Sequence, residues 1–198
     1  MKNAQRRKET RAAILNAAVQ CFARDGYEAT SVTSICDRAG VSKGAFYYHF
    51  KTKQAVFLAV TAGWLADLEM ALQAAAHETV RADEALLAMA RMARAVLRAD
   101  DPRLPILLEF WQQASRDEEV RAVTVRPYRS YHALFEELVR RGIAEGSFAP
   151  VDPALAAQVI LSLASGLFLQ GLIDPTGGAW ERVSEDTIHV LLDGLRRR

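Results

Sequence analysis

Apolar residues recur at the spacing of an α-helix along almost the whole chain, and no stretch alternates between apolar and polar residues as a half-buried strand does. The first apolar stripe has five members on one helical face: Ile14, Ala17, Ala18, Cys21 and Phe22. Gly26 follows as a candidate left-handed cap. A later stripe over residues 118–145 continues through Pro127, which predicts a helix with a kink there. The pattern predicts an all-α protein of about nine helices.

The segment 153–173 has no charged residue and is long enough to cross a membrane. It is interrupted by six polar or small residues: Gln158, Ser162, Ser165, Gly166, Gln170 and Gly171. Acidic residues flank it, and Asp152 followed by Pro153 is typical of a helix start. We therefore expect a buried helix of a soluble protein and no membrane partner. The basic N-terminus precedes no unbroken apolar stretch, which argues against a signal peptide and favours a cytoplasmic protein.

Composition and motifs argue against a disordered chain, a metalloprotein and an enzyme. Hydrophobic residues make up 51% of the chain and charged residues 25%, as in a globular protein. Cys21 and Cys36 are too few for a secreted disulfide framework and lack the spacing of a metal site. The four histidines form no metal-binding pair, and no nucleophile elbow, dinucleotide-binding or P-loop motif occurs. We expect no catalytic residue, no metal and no cofactor.

The net charge of +1 is unevenly distributed along the chain. Residues 1–55 hold ten basic residues against four acidic ones, whereas residues 56–198 hold fifteen against twenty. A positive N-terminal part favours a polyanion partner, although a solvated basic face would give the same count. The basic segment 2–8 either lies along a nucleic-acid groove or is a frayed terminus.

Two short helical segments have the proportions of a helix-turn-helix motif. The first spans residues 31–38, with Thr30 or Ser31 as its cap, and the second begins at Ser42 after the turn 39–41. In such a motif the second helix enters the major groove of DNA. Hydrogen-bond donors cluster on and just after this second helix: Lys43, Tyr47, Tyr48, His49, Lys51 and Lys53.

Residues 14–57 resemble the DNA-binding domain of the TetR family of repressors. The resemblance rests on an "AGVSxGxxYxHFxxK" signature, which is met by Ala39, Gly40, Val41, Ser42, Gly44, Tyr47, His49, Phe50 and Lys53. Cys36 stands where the family usually has alanine, and we expect it to pack as a small hydrophobe. The resemblance implies a DNA-binding domain at 8–68, with the helix-turn-helix at about 31–50, and a ligand-binding and dimerisation domain at 69–198.

The family further implies a homodimeric repressor that leaves a palindromic double-stranded operator when it binds a small-molecule inducer. Two alternatives stay open beside this interpretation. A DNA-binding regulator of the same fold that needs no ligand would lack an internal cavity. A small-molecule carrier or enzyme without DNA function would have no use for the segment "SKGAFYYHFKTK", which argues against it.

Residue types suggest roles within the motif. Lys43 is the long basic side chain in the first turn of the second helix and is the best candidate to contact a guanine edge. Ala45 and Tyr47 suit thymine methyl groups, and Gly44 allows close approach of the backbone. Contacts to phosphate are expected of Thr33, Ser42, Tyr48, His49 and Lys51. The resemblance adds Lys53 as a phosphate contact, and we expect Phe46 and Phe50 to fill the core.

The C-terminal part carries the residues that would bind a ligand and a second subunit. The resemblance implies a cavity among the C-terminal helices, although a plain core is the more common place for each aromatic side chain. We expect its lining to include Met89, Met92, Trp111, Gln112, His132, Phe135, Gln158 and Ser162. Such a lining suits a hydrophobic or aromatic inducer. The all-round apolar segment and the last helix predict a two-fold interface formed by Ala157, Leu161, Ser165, Gly166, Ile188, Leu192 and Leu195.

Overall fold

The computed structural model describes residues 2–96, 103–174 and 180–196. Within these ranges the chain forms nine α-helices: α1 Lys2–Ala29, α2 Val32–Ala39, α3 Lys43–His49, α4 Lys53–Glu78, α5 Ala82–Val96, α6 Arg103–Ala114, α7 Glu118–Ala144, α8 Pro153–Ile173 and α9 Trp180–Leu195. The extended pairing among the described residues is a single antiparallel bridge between Phe148 and Arg196. The prediction of an all-α chain with about nine helices is confirmed.

The backbone of α1 breaks at Gly26 instead of ending there. Gly26 has φ 78° and ψ 166°, outside the left-handed helical region expected of a cap, and the helix resumes to Ala29. The Thr30 hydroxyl then donates to the Gly26 carbonyl over 2.7 Å, which satisfies one of the backbone groups freed by the break. Ser31, not Thr30, is consequently the cap of α2.

The described contacts divide the chain into two compact units. Unit 1 comprises Met1–Leu65 and Pro102–Thr124, and unit 2 comprises Ala66–Asp101 and Val125–Arg198. α4 begins in unit 1 and ends in unit 2. The boundary between the units within α4, at Leu65 and Ala66, is close to the expected domain boundary at residues 68 and 69. α6, expected in the C-terminal domain, packs on α1 in unit 1. The reason is a shared aromatic core, in which Phe57 of α4 lies 5.6 Å from Phe22 and 6.1 Å from Phe110 of α6, measured between ring centroids.

Unit 2 closes around a cluster formed by α4, α5, α7, α8 and α9. Phe148, in the turn after α7, is 1% exposed, and its ring fills the space in which a side chain on Gly142 would lie. The Ala149 amide donates to the Leu195 carbonyl over 2.8 Å, which attaches this turn to the end of α9. α7 continues through Pro127, as predicted.

α8 is apolar on two opposite sides. Asp152 caps it by accepting from the Ala154 amide over 2.9 Å, and Ala157 and Ile160 on its inner side are buried. Its outer side is exposed within this chain, with Leu155 63% accessible. α4 and α8 are both long and apolar enough to cross a membrane by length and composition alone, a test that core helices of soluble proteins also pass.

Candidate nucleic-acid interface

The second helix of the motif, α3, is anchored on one side by two phenylalanines. Phe46 is fully buried and Phe50 is 5% exposed, so both lie in the core as predicted. At the start of α3 the Ser42 hydroxyl accepts from the Ala45 amide over 3.1 Å. The cap fixes where the helix begins, and the phenylalanines fix its rotation about its axis.

The turn between α2 and α3 depends on a left-handed glycine. Gly40 has φ 66° and ψ 33°, and the Val41 amide donates back to the Cys36 carbonyl over 3.1 Å. Cys36 itself is buried, and this burial raises the pKa of its thiol. The thiol therefore stays protonated at neutral pH and acts as the small hydrophobe expected from the sequence.

The side of α3 away from the core carries the residues expected to touch DNA. Tyr47 is 47% and Tyr48 61% exposed, so both rings are accessible to a partner. The structure also leaves accessible, fully or in part, the other expected contacts on and around α3: Thr33, Ser42, Lys43, Gly44, Ala45, His49 and Lys51. Nine of the ten expected residues thus belong to α2, α3 or the residues beside them; seven of the nine are exposed, and Ala45 and His49 are half-buried.

The tenth expected contact, Lys53, has a different environment. Its ammonium group donates to the carbonyls of Tyr27 over 2.6 Å and of Glu28 over 3.1 Å, and it lies 4.3 Å from the centre of the Tyr27 ring. Two of its three donors are therefore occupied within unit 1. In this structure Lys53 attaches the start of α4 to the end of α1, a role that the resemblance to the family did not imply.

Two arginines of α1 lie beside α3, and no local sequence pattern indicated an individual role for either. The Arg7 guanidinium lies 5.2 Å from the centre of the Tyr48 ring, and the Arg11 guanidinium lies 5.2 Å from the centre of the Phe50 ring. The segment 2–8 is helical and forms the first turns of α1, close to α3. Spacing in the sequence could not reveal these contacts because about forty residues separate the partners.

α6 is attached to the same region by two polar contacts. The Glu109 carboxylate accepts from the Tyr27 amide over 3.2 Å, and the Gln54 side chain donates to Asp117, just after α6, over 2.9 Å. Burial raises the pKa of the Tyr27 phenol, and the neighbouring acids Glu28, Glu109 and Asp117 raise it further. Tyr27 is consequently neutral at physiological pH and contacts both Lys53 and the α6 carboxylate.

The residues expected to line a ligand cavity are divided between the two units. Trp111 and Gln112 belong to unit 1, and the other six belong to unit 2. Met89 and Phe135 are buried in the unit 2 cluster, against which Met92 packs. The His132 ring nitrogen lies 3.7 Å from the Glu136 carboxylate.

The last two expected lining residues lie on the accessible side of α8. Gln158 accepts from the Tyr128 hydroxyl over 3.1 Å and donates to the Ser162 hydroxyl over 3.3 Å. Gln158 and Ser162 therefore form part of a polar surface group and not of the apolar cluster.

The residues expected at the dimer interface are divided in a similar way. Five of them, Ala157, Leu161, Ile188, Leu192 and Leu195, belong to the core cluster of their own unit. Ser165 and Gly166 remain accessible on α8. Because α8 is apolar on both sides, its sequence pattern does not distinguish the inward residues from the outward ones. The accessible apolar residues are instead Leu155, Val159, Leu169 and Ile173 on α8 and Val190 on α9.

Among the described residues, no group of three or more histidine, cysteine, aspartate or glutamate side chains is arranged to hold a metal ion.

Comparison with known families assigns most of the chain. Residues 14–60 match the bacterial regulatory proteins of the tetR family, and residues 97–197 match the C-terminal domain of BetI-type transcriptional repressors. The transcriptional repressor AcnR of Corynebacterium efficiens is 31% identical over 180 residues, which cover 89% of this chain and 87% of that protein.

Solved structures share the fold over nearly the full length. The fatty acid degradation regulator FadR of Bacillus halodurans superposes with a TM-score of 0.82 at 25% identity, covering 96% of this chain and 97% of the other. FadR of Bacillus subtilis, solved in complex with stearoyl-CoA, has a TM-score of 0.81 at 21% identity and covers 93% of this chain and 99% of its own. The helix-turn-helix geometry, the two family matches and these relatives together show that the chain belongs to the TetR family of DNA-binding transcriptional regulators.

Proposed function

We propose that the protein is a cytoplasmic, homodimeric repressor that binds a palindromic operator through α3 of each subunit and leaves it when unit 2 takes up a small apolar molecule. The observation that carries the proposal is the two-sidedness of α3. Phe46 and Phe50 fix one side in the core, and the opposite side presents Lys43, Tyr47 and Tyr48 to solvent. Exposed hydrogen-bond donors on a helix whose opposite side is packed in the core suit insertion into the major groove of DNA.

Base readout and backbone contact are divided along this helix. Lys43 lies in the first turn, beside the small residues Gly44 and Ala45, and it reaches a guanine edge in the proposed complex. Lys51 follows the helix and contacts phosphate. In a two-fold dimer the two recognition helices are about one DNA turn, roughly 34–36 Å, apart.

The outer side of α8 is the proposed dimer interface. Leu155, Val159 and Leu169 are 63%, 42% and 43% exposed in the single chain, and Val190 on α9 is 74% exposed. An exposed apolar helix face of this kind marks a protein interface in a soluble protein. At Gly166, between these residues, a β-carbon added to the backbone would meet no atom within 4 Å beyond its two chain neighbours and the backbone of α8 itself, which leaves room for close approach of a partner helix.

The proposed inducer site lies in the apolar cluster of unit 2. Met89, Met92 and Phe135 belong to or pack on this cluster, and Tyr131 packs beside them with a pKa that burial and the nearby Glu69 raise. A neutral phenol among thioether and aromatic side chains suits an uncharged apolar ligand or the apolar part of a larger one.

The proposal is tested by selecting genomic DNA fragments on the purified chain and measuring the mass of the chain in solution. We expect a dimer by sedimentation and enrichment of a short palindrome with nanomolar affinity. A compound screen on that complex should then yield apolar ligands that release the DNA. A chain that binds all fragments equally would contradict operator recognition, and an operator complex that no compound releases would favour a regulator without a ligand.

A further inference from the structure

Arg7 and Arg11 lie one helical turn apart on α1 and both contact aromatic rings at the end of the recognition helix. The Arg7 guanidinium is 5.2 Å from the centre of the Tyr48 ring, and that of Arg11 is 5.2 Å from the centre of the Phe50 ring. Residues four apart share a helix face, so these two contacts orient one side of α1 toward α3. The Arg7 stack is accessible, because Arg7 is exposed and Tyr48 is 61% exposed, whereas the Phe50 ring is buried.

The charge of this part of α1 is not compensated by acids. The segment 2–11 contains five basic residues and one acid, Glu9, whose carboxylate accepts a hydrogen bond from Gln5 over 3.0 Å. No ion pair joins Arg7 or Arg11 to an acid among the described residues. A guanidinium stacked on an aromatic ring keeps the N–H donors at its edge available. Arg7 therefore places a positive charge with free donors beside α3.

We propose that Arg7 is a further contact to the DNA backbone and that the Tyr48 ring positions it there. The inference rests on the proposed binding of α3 in the major groove, because only then does the Arg7–Tyr48 stack lie at the phosphates that border the groove. This inference gives Tyr48 a positioning role, which differs from the phosphate contact expected of its hydroxyl. The face of the ring supports the arginine, and the arginine binds the phosphate.

Substitutions at Tyr48 distinguish these two roles. Tyr48→Phe keeps the ring and removes the hydroxyl, and we expect operator affinity and its salt dependence to stay near those of the unmodified protein. Tyr48→Leu removes the ring, and we expect the same loss as from Arg7→Ala. The double variant Arg7→Ala with Tyr48→Leu should lose no more than either single one, because both remove one contact. A loss in Tyr48→Phe equal to that in Tyr48→Leu would assign the contact to the hydroxyl and overturn the positioning role.

The decisive measurement is a fluorescence titration of selected operator and of scrambled DNA at several salt concentrations. Arg7→Ala should lower affinity about 5- to 10-fold at 0.1 M salt on both DNAs and reduce the salt slope by about one unit. Arg7→Lys should retain the slope, and Arg91→Ala, which removes an exposed arginine from α5 of unit 2, should change neither quantity. An unchanged slope in Arg7→Ala would overturn the inference even though the unmodified chain binds its operator. Failure of the unmodified chain to bind would instead contradict the proposed function.

Discussion

Three lysines on and after the recognition helix have different surroundings and therefore different expected effects. Lys43 and Lys51 are exposed, whereas the ammonium group of Lys53 is bound to two carbonyls of α1. All three were expected to contact DNA, Lys53 because of the resemblance to the family. Nothing local to Lys53 reveals an acceptor about 25 residues earlier in the chain.

Lys43→Ala should weaken operator binding by about 1–3 kcal/mol and relax base preference at one position of each half-site. Lys51→Ala should weaken binding to operator and scrambled DNA alike and reduce the salt slope by about one unit. Parallel titrations on both DNAs separate the two effects. Equal losses on both DNAs for Lys43→Ala would remove that residue from base readout.

Lys53→Met should act on stability more than on DNA binding. Removing the ammonium group leaves the Tyr27 and Glu28 carbonyls without this donor, and we expect a loss of about 1–3 kcal/mol in the free energy of unfolding. Urea unfolding followed by circular dichroism measures it, with Lys51→Met as the matched exposed control, which should change stability by less than about 0.5 kcal/mol. A stability equal to that of the control, together with a reduced salt slope, would return Lys53 to the phosphate contacts.

At the scale of helices, periodicity and caps predicted most elements because both are local. Ser42 was expected at the start of the second helix of the motif from its residue type and position, and the structure shows it as the N-terminal cap of α3. Gly26 was expected to end the first helix, but α1 resumes at Tyr27, whose amide donates to the Glu109 carboxylate on α6. This contact joins residues far apart in the sequence, so the local pattern could not reveal it. Which side of α8 faces inward could not be predicted either, since a helix that is apolar all round has no periodic signal to orient it.

Two glycines should respond with opposite sign to the same substitution. Gly40 has φ 66° at the end of α2, and an added methyl group there meets no atom within 4 Å, so Gly40→Ala should cost about 1–2 kcal/mol through backbone strain alone. Gly63 lies inside α4 with equally open space, and Gly63→Ala should stabilise by roughly 0.5–1 kcal/mol. Thermal unfolding of both variants tests the pair. Equal changes in melting temperature would contradict the left-handed cap at Gly40.

At the scale of the whole molecule, the prediction concerns the outer side of α8, which is the interface in the proposed dimer. Gly166→Glu adds a charge where the chain itself offers open space, so a single subunit should fold normally. In the proposed interface the carboxylate loses water without gaining a partner, at a cost of several kcal/mol. Sedimentation should therefore show folded monomers with little operator affinity, while Ala74→Glu at an exposed position of α4 stays dimeric. A stable Gly166→Glu dimer would place the interface elsewhere.

In the proposed dimer, the apolar outer side of α8 also ties DNA binding to the concentration of the chain. When a dimer is the DNA-binding species, its concentration falls with the square of the chain concentration once chains are scarcer than the dissociation constant of the pair. Dilution at cell division, or a promoter that limits the chain's own synthesis, then acts on repression more steeply than on the amount of protein. In the proposed dimer, the strength of the contact through Leu155, Val159 and Val190 thus sets a threshold of chain concentration below which operator binding is lost.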